Sequence, residues 1–159
     1  MASTITASTL KVTIREDIKL NGVNQGGVTT LSIGSINEIS KRIVTITTTE
    51  AEILKFHATD IDAGRYIIGD VRYMRFTNLD DTNFITLTFR NQDNDEAAIK
   101  LDAGQSFIWN GDNSGGLVDV FNATENANAA SDTALGDLTG IQADANTGSC
   151  DLEMFIASV

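Results

Sequence analysis

The chain has 159 residues, with 22 Asp+Glu against 11 Lys+Arg, a formal net charge of −11 and a pI near 4.3. So acidic a surface argues against nucleic-acid and anionic-membrane partners, because both present negative charge. A single Cys excludes an intrachain disulfide framework and a Cys-rich zinc site, and no apolar run approaches the roughly 18 residues of a membrane span. The N-terminal stretch Met1 to Ser8 has neither the basic head nor the apolar core of a signal peptide, so no leader is expected. A hydrophobic content of 42% suits one folded domain over residues 1–159. Proline is absent, where roughly eight would be average. Since β proteins commonly block edge strands with proline, this chain is expected to make its turns from Gly, Asn and Asp and to cover its edges against partners.

Residues 1–9, polar and β-prone, are expected to form a flexible arm. Leu10, Val12 and Ile14 alternate with Lys11, Thr13 and Arg15, the period of a half-buried strand, and Ile18 and Leu20 continue it across a bulge. Residues 21–27 (NGVNQGG) form a turn by composition, followed by a short strand over 29–33. Residues 35–40 fit either one helical turn or an irregular link. Residues 42–48 (RIVTITT) are rich in β-branched side chains and read as strand, while 50–56 (EAEILKF) fit helix or strand. The segments 66–79 and 83–90, joined by Asp80-Asp-Thr82, read as a hairpin. A second hairpin is expected from 97–101 and 106–110, after the polar turn 91–96.

Residues 111–136 are an irregular excursion rich in Gly, Asn, Ala and Asp, with only 117–121 strand-like. Two strands close the chain, over 138–143 and 150–158, separated by a turn at 146–149. The pattern of about 8–10 short strands with little helix predicts an all-β, antiparallel β-sandwich, jelly-roll-like.

Little in this pattern points to catalysis. His57 is the one histidine and no nucleophile-elbow motif accompanies it, so no catalytic residue is expected. Cys150 lies on the apolar face of the last strand, the position of a small buried hydrophobe. The acidic tips at 91–96, Asp80-Asp81 and Asp60/Asp62 offer oxygen ligands but lack the glycine of a Ca²⁺-binding EF-hand loop, and solvated turns are the simpler reading. Neither a metal nor another cofactor is expected. Trp109 fits the inter-sheet core, a subunit contact or a sugar-stacking platform. Lys41 and Arg42, with Arg65, Arg72, Arg75 and Arg90 around the central strands, either pair with internal carboxylates or dock an acidic partner.

Residues 71–80 (VRYMRFTNLD), 84–89 (FITLTF) and 98–108 (AIKLDAGQSFI), with the closing 141–153 (IQADANTGSCDLE), resemble small virion proteins of tailed phages, those of marine cyanobacterial phages in particular. The likeness spans about residues 66–110 and 138–157. The turn Lys100-Leu-Asp-Ala-Gly104 also occurs in cupin-like sandwiches, whose metal-binding histidines are missing here. The resemblance implies an architectural protein without catalytic residues, a capsid decoration or cement protein, often a trimeric jelly roll, or a neck or fibre component.

The leading expectation is therefore a cement protein, made in the host cytoplasm and placed on the outer capsid surface of the virion, where it bridges major capsid subunits as a homo-oligomer, with a trimer favoured. Lys41, Arg42, Arg72, Arg75 and Trp109 are its expected partner contacts. The alternative is a tail, neck or fibre component that binds a receptor or carbohydrate through Trp109 and residues 111–128.

Overall fold

Alternating side chains require each strand to be covered on at least one face, and the chain meets that requirement with two facing antiparallel sheets. The computed structural model describes residues 4–59, 64–110, 114–123 and 135–159. Among these there is no helix, and the strands are β1 (Ser8–Arg15), β2 (Lys19–Leu20), β3 (Val23–Asn24), β4 (Val28–Ile36), β5 (Glu38–Ile46), β6 (Ala51–His57), β7 (Arg65–Ile67), β8 (Val71–Asn78), β9 (Ile85–Asn91), β10 (Glu96–Leu101), β11 (Ser106–Asn110), β12 (Leu138–Ala145) and β13 (Cys150–Ser158). One sheet has the order β10-β9-β12-β6-β7 and the other β11-β8-β13-β5.

Leaving aside the short parallel strand β7, eight strands build the sandwich, and their pairing is nested. The first pairs with the last (β5 with β13), then β6 with β12, β8 with β11, and innermost β9 with β10. A long hairpin rolled on itself gives this arrangement, the jelly roll. The all-β sandwich read from the sequence is the observed fold.

Rolling changes the local pairings expected from turn composition. Strands β8 and β9 do not form a hairpin: they belong to different sheets, and Asp80-Asp-Thr82 carries the chain from one to the other. The same holds for β10 and β11. The hairpin is instead β9–β10, closed by the polar turn at 91–96. The strand expected over 66–79 is broken at Ile68–Asp70, between β7 and β8. Residues 50–56 are extended, in β6. No helical turn forms at 35–40, where β4 ends at Ile36 and β5 starts at Glu38 after a left-handed residue, Ser35 (φ 62°). Residues 117–121 form turns rather than a strand, with a single bridge from Phe121 to Gly136.

Each crossing between sheets leaves backbone polar groups at the rim of the core, where they must be paired. Asn78, fully buried at the end of β8, does this for two crossings at once. Its Nδ2 donates to the carbonyls of Asn83 (2.8 Å) and Leu101 (3.1 Å), while its Oδ1 accepts from Asp80 N (3.0 Å). Asn91 plays the corresponding part at the β9–β10 turn, its Oδ1 accepting from the amides of Asp93 (3.0 Å) and Asp95 (2.8 Å). Between the sheets lies the main core, including Leu54, Met74, Phe76, Ile85, Leu87, Ile141, Leu152 and Met154.

The outer face of the β11-β8-β13-β5 sheet is covered as well. Strands β1 and β4 pair as an antiparallel ribbon, and Ile33 and Ile36 pack on Tyr73 and Ala157, with Leu10, Val12, Leu31, Ile108 and Phe155 around them. The arm expected over residues 1–9 thus gives way at Ser8 to a paired strand; residues 1–3 lie outside the described residues. The bulged continuation expected through Ile18 and Leu20 is a separate small hairpin, β2–β3, whose turn Asn21-Gly22 has positive φ at both positions (51° and 81°), as a type I′ turn requires.

An Asn78→Ala variant should lose about 2–4 kcal/mol in urea unfolding, because two rim carbonyls lose their donor. Asn78→Asp should be worse at neutral pH and recover on acidification. Its carboxylate would face two carbonyls, so its folded pKa lies above the unfolded value, and stability present below the latter is lost as the pH rises through the former.

Candidate functional site

The described residues converge on surfaces rather than on a reaction centre. From Thr13 to Thr30 every residue is exposed except the half-buried Gly26, so this end of the β1–β4 ribbon stands off the sandwich as a finger. Its order comes from its own backbone. Glu16 N donates to Gly27 O (2.9 Å) and Gln25 N to Ile18 O (2.9 Å), and a Cβ on Gly26 would lie 1.8 Å from the carbonyl oxygen of Glu16. The finger carries Ile14, Ile18, Leu20, Val23 and Val28, each 47–65% exposed. The register pairs Ile14 with Thr29 and Arg15 with Val28, so Ile14 and Val28 are exposed on opposite faces of the ribbon.

A second exposed apolar row lies on β5. This strand ends its sheet, with β13 as its hydrogen-bonded neighbour, and its nine residues pair in unbroken register with no bulge. Ile39 and Ile43 are 57–58% exposed on the face that also bears Lys41. Ile39 borders a groove of about 380 Å³ with Ile5, Leu10 and Ile36. Long, regular and partly apolar edges invite pairing with another chain.

The expected contact residues separate by environment. Lys41 is exposed and its Nζ lies 3.1 Å from Glu153 Oε2; Arg75 bonds the other carboxylate oxygen at 2.6 Å and also reaches Thr77 Oγ1. Two cations therefore bracket Glu153 and hold its carboxyl below the usual range, the hydrogen bond from Arg75 being the larger cause and that from Lys41 the next. Arg42 is exposed at the same edge and donates to Ile53 O of β6 (2.7 Å), linking the two sheets. Arg72 is 9% exposed, and its guanidinium donates to Gly69 O (2.5 Å), so its charge is turned inward. Arg90 pairs with Glu96 across the β9–β10 hairpin (Nε to Oε1 2.7 Å). Internal pairing thus accounts for much of what composition presented as a basic patch.

Trp109 is half-buried in an aromatic cluster, its ring centroid 5.3 Å from Phe89, 6.3 Å from Phe107 and 6.4 Å from Phe121. That is the core position, with residues 117–121 folded against it. The stretch 111–128, named in the alternative expectation as a receptor- or carbohydrate-binding element, lies partly outside the described residues, at 111–113 and 124–128.

Cys150 is buried, and burial pushes its thiol up, with the nearby Asp80 carboxylate adding to the effect. Asp80 itself is held low because its Oδ1 accepts from Asn83 N (2.6 Å) and Thr82 N (2.8 Å). His57 is exposed at the end of β6, where its Nδ1 accepts from Thr59 N (3.3 Å). Of the acidic tips, 91–96 is organised by Asn91, and Asp60 and Asp62 lie outside the described residues. Among the described residues no three His, Cys, Asp or Glu side chains gather as a metal site. A polar cleft of about 670 Å³ between β5 and β7 is bordered by Glu38, Lys41, Arg65, Tyr66, Asp70 and Ser158, and no histidine or cysteine is among the residues lining it.

Glu153 should contribute to acid stability. With its folded pKa depressed, its contribution is present above the unfolded value and is lost as the pH falls through the folded one. Glu153→Gln should therefore flatten the acid limb of a melting-temperature profile below about pH 4.5. Native Cys150 should resist a thiol reagent such as DTNB at pH 8 and titrate fully once the protein is unfolded; rapid labelling of the folded chain would contradict the burial described here.

No protein-family model matches the sequence, and no curated protein does. Among solved structures, the chain is similar to one from a study of Bacillus endospore appendages, described as a novel family of disulfide-linked pili, with 10% identity, a TM-score of 0.41 and coverage of 100% of this chain and 95% of that one. A likeness of that degree carries no function across.

Proposed function

We propose that this chain is a non-enzymatic virion structural protein, a decoration or cement protein that sits on the outer capsid surface and bridges major capsid subunits. The observation that carries the reading is the finger: ordered β-structure standing off a fully built sandwich and bearing five exposed aliphatic side chains along its length. Such an element has a use when something covers it. Two further features support the reading. The sequence resembles tailed-phage virion proteins over about residues 66–110 and 138–157, and the jelly roll recurs in viral capsid proteins, a likeness at the level of fold alone. A net charge of −11 suits a protein kept apart from packaged DNA. Its mechanism is adhesion: area buried across subunit junctions holds the shell against internal pressure. Of the residues first expected at such contacts, Lys41, Arg42 and Arg75 remain near the surface, while Arg72 and Trp109 support the fold.

The alternative, a tail, neck or fibre component, uses the same contact chemistry at another place, and one experiment separates the two. Cryo-microscopy of particles, with antibody labelling, should find the chain at regular sites outside the shell, and capsids assembled without it should form normally but rupture at lower temperature. Copurification with tails alone would refute the cement reading.

A further inference from the structure

Cations of this chain pair with carboxylates even where water would screen them: Arg15 with Asp17, Lys55 with Glu52, Arg90 with Glu96 and Lys100 with Asp102. Arg72 is buried and does not. It is 9% exposed, its hydrogen bond runs from Nη1 to Gly69 O, and no carboxylate among the described residues pairs with it. Taking a guanidinium out of water without a counter-ion is strongly unfavourable. With Nη1 committed to Gly69, Nε and Nη2 remain, and their N–H groups lie side by side in the plane of the fork, the spacing that two carboxylate oxygens match. Neither is sealed away. No fully buried side-chain nitrogen or oxygen among the described residues lacks a partner, so the two unbonded nitrogens keep contact with open space.

Arg72 borders a pocket of about 410 Å³ between β4 and the start of β8, and it is the one charged side chain among the residues that line it. Asp70 borders the polar cleft beside β7 instead, and Val159, part of the pocket wall, makes no ion pair with Arg72. The opposite wall is an irregular piece of strand. Leu10 pairs with Ile33 and Ser8 with Ile36, so Gly34 and Ser35 fall outside the register, and Ser35 is left-handed (φ 62°). This bulge adds backbone and hydroxyl polar groups to the wall.

We infer that the pocket binds a carboxylate, with the Arg72 fork as its principal partner. A single guanidinium in a chain of net charge −11 suits a planar, monovalent anion better than phosphate, whose second charge the surrounding field repels. A small organic acid and an acidic side chain of another protein present the same group. The inference is independent of the cement reading.

Titrating isotope-labelled protein with sodium acetate, at ionic strength held constant with chloride, should move the Arg72 Nε–H resonance and the Gly34 and Ser35 amides along a saturable curve with a dissociation constant on the order of millimolar. Arg72→Lys keeps the charge but loses the fork, and should weaken binding about tenfold or more. Ser35 is exposed, and Asp and Asn both tolerate its left-handed backbone. Ser35→Asp should bring an internal carboxylate to the pocket, abolish acetate binding and raise the melting temperature, while the neutral Ser35→Asn should bind acetate as the wild type does. A capped peptide with one glutamate separates the two sources: tighter binding than acetate assigns the site to an acidic side chain, and weaker binding to a free organic acid. Resonances that acetate leaves unmoved, phosphate or chloride bound as tightly as acetate, or a folded Arg72→Lys or Ser35→Asp variant with wild-type affinity would each overturn the inference.

Discussion

A chain that rolls two sheets around one core must carry its backbone across the gap between them, and every crossing exposes amides and carbonyls where water is scarce. The rest of this fold depends on bonding those groups. Asn78 is suited to the task because one amide supplies both donor and acceptor, so it ties the start of the β8–β9 connection and the end of β10 to a single side chain. With the rim closed, the strands hold their nested partners and the large aliphatic side chains fill the space between. A serine would reach fewer of these groups, and an aspartate would offer acceptors where donors are needed.

The same economy governs charge. Few cations are available in this acidic chain, and several are committed inside it: Arg42 bridges the two sheets through Ile53 O of β6, Arg72 bonds a turn carbonyl, and Arg75 shares Glu153 with Lys41. Further exposed cations stand on the ribbon at Lys11, Arg15 and Lys19, and there too Arg15 is paired internally, its Nε 2.9 Å from Asp17 Oδ2.

Strand content was legible because alternation marks the side chains that face inward. Residues 150–158 read as a strand with Cys150, Leu152, Met154 and Ile156 on one face, and that is β13. Partner choice was not legible. The connection at 80–82 is short enough for a hairpin, yet it spans two sheets, and nothing in an alternating pattern distinguishes a neighbour beside a strand from one across the core. Burial also depends on where the covering sheet stops. Leu10, Val12 and Ile14 share a face and a period, but the first two rest on Tyr73, Phe155 and Ile108 whereas Ile14 is 47% exposed. Of the candidate contact residues, the exposed Lys41 and Arg42 could be found by charge; Arg72 could not be told from them, because a guanidinium on a strand rich in apolar residues bonds a backbone carbonyl as readily as a partner. The finger was missed because its aliphatics look like those of any core strand.

The nested pairing also sets an order of events in time. Strand β5 is made early but has its sheet partner only when β13 has been synthesised, and the β1–β4 ribbon finds Phe155 and Ala157 on that same late strand. A two-stranded ribbon is marginal alone, so the first forty residues leave the ribosome with aliphatic groups uncovered while about a hundred more are added. Contacts so distant in sequence make folding slow. Arrest of synthesis before Cys150 would leave β5 and the ribbon unsatisfied together, and the late strand would then act as a checkpoint for the nascent chain.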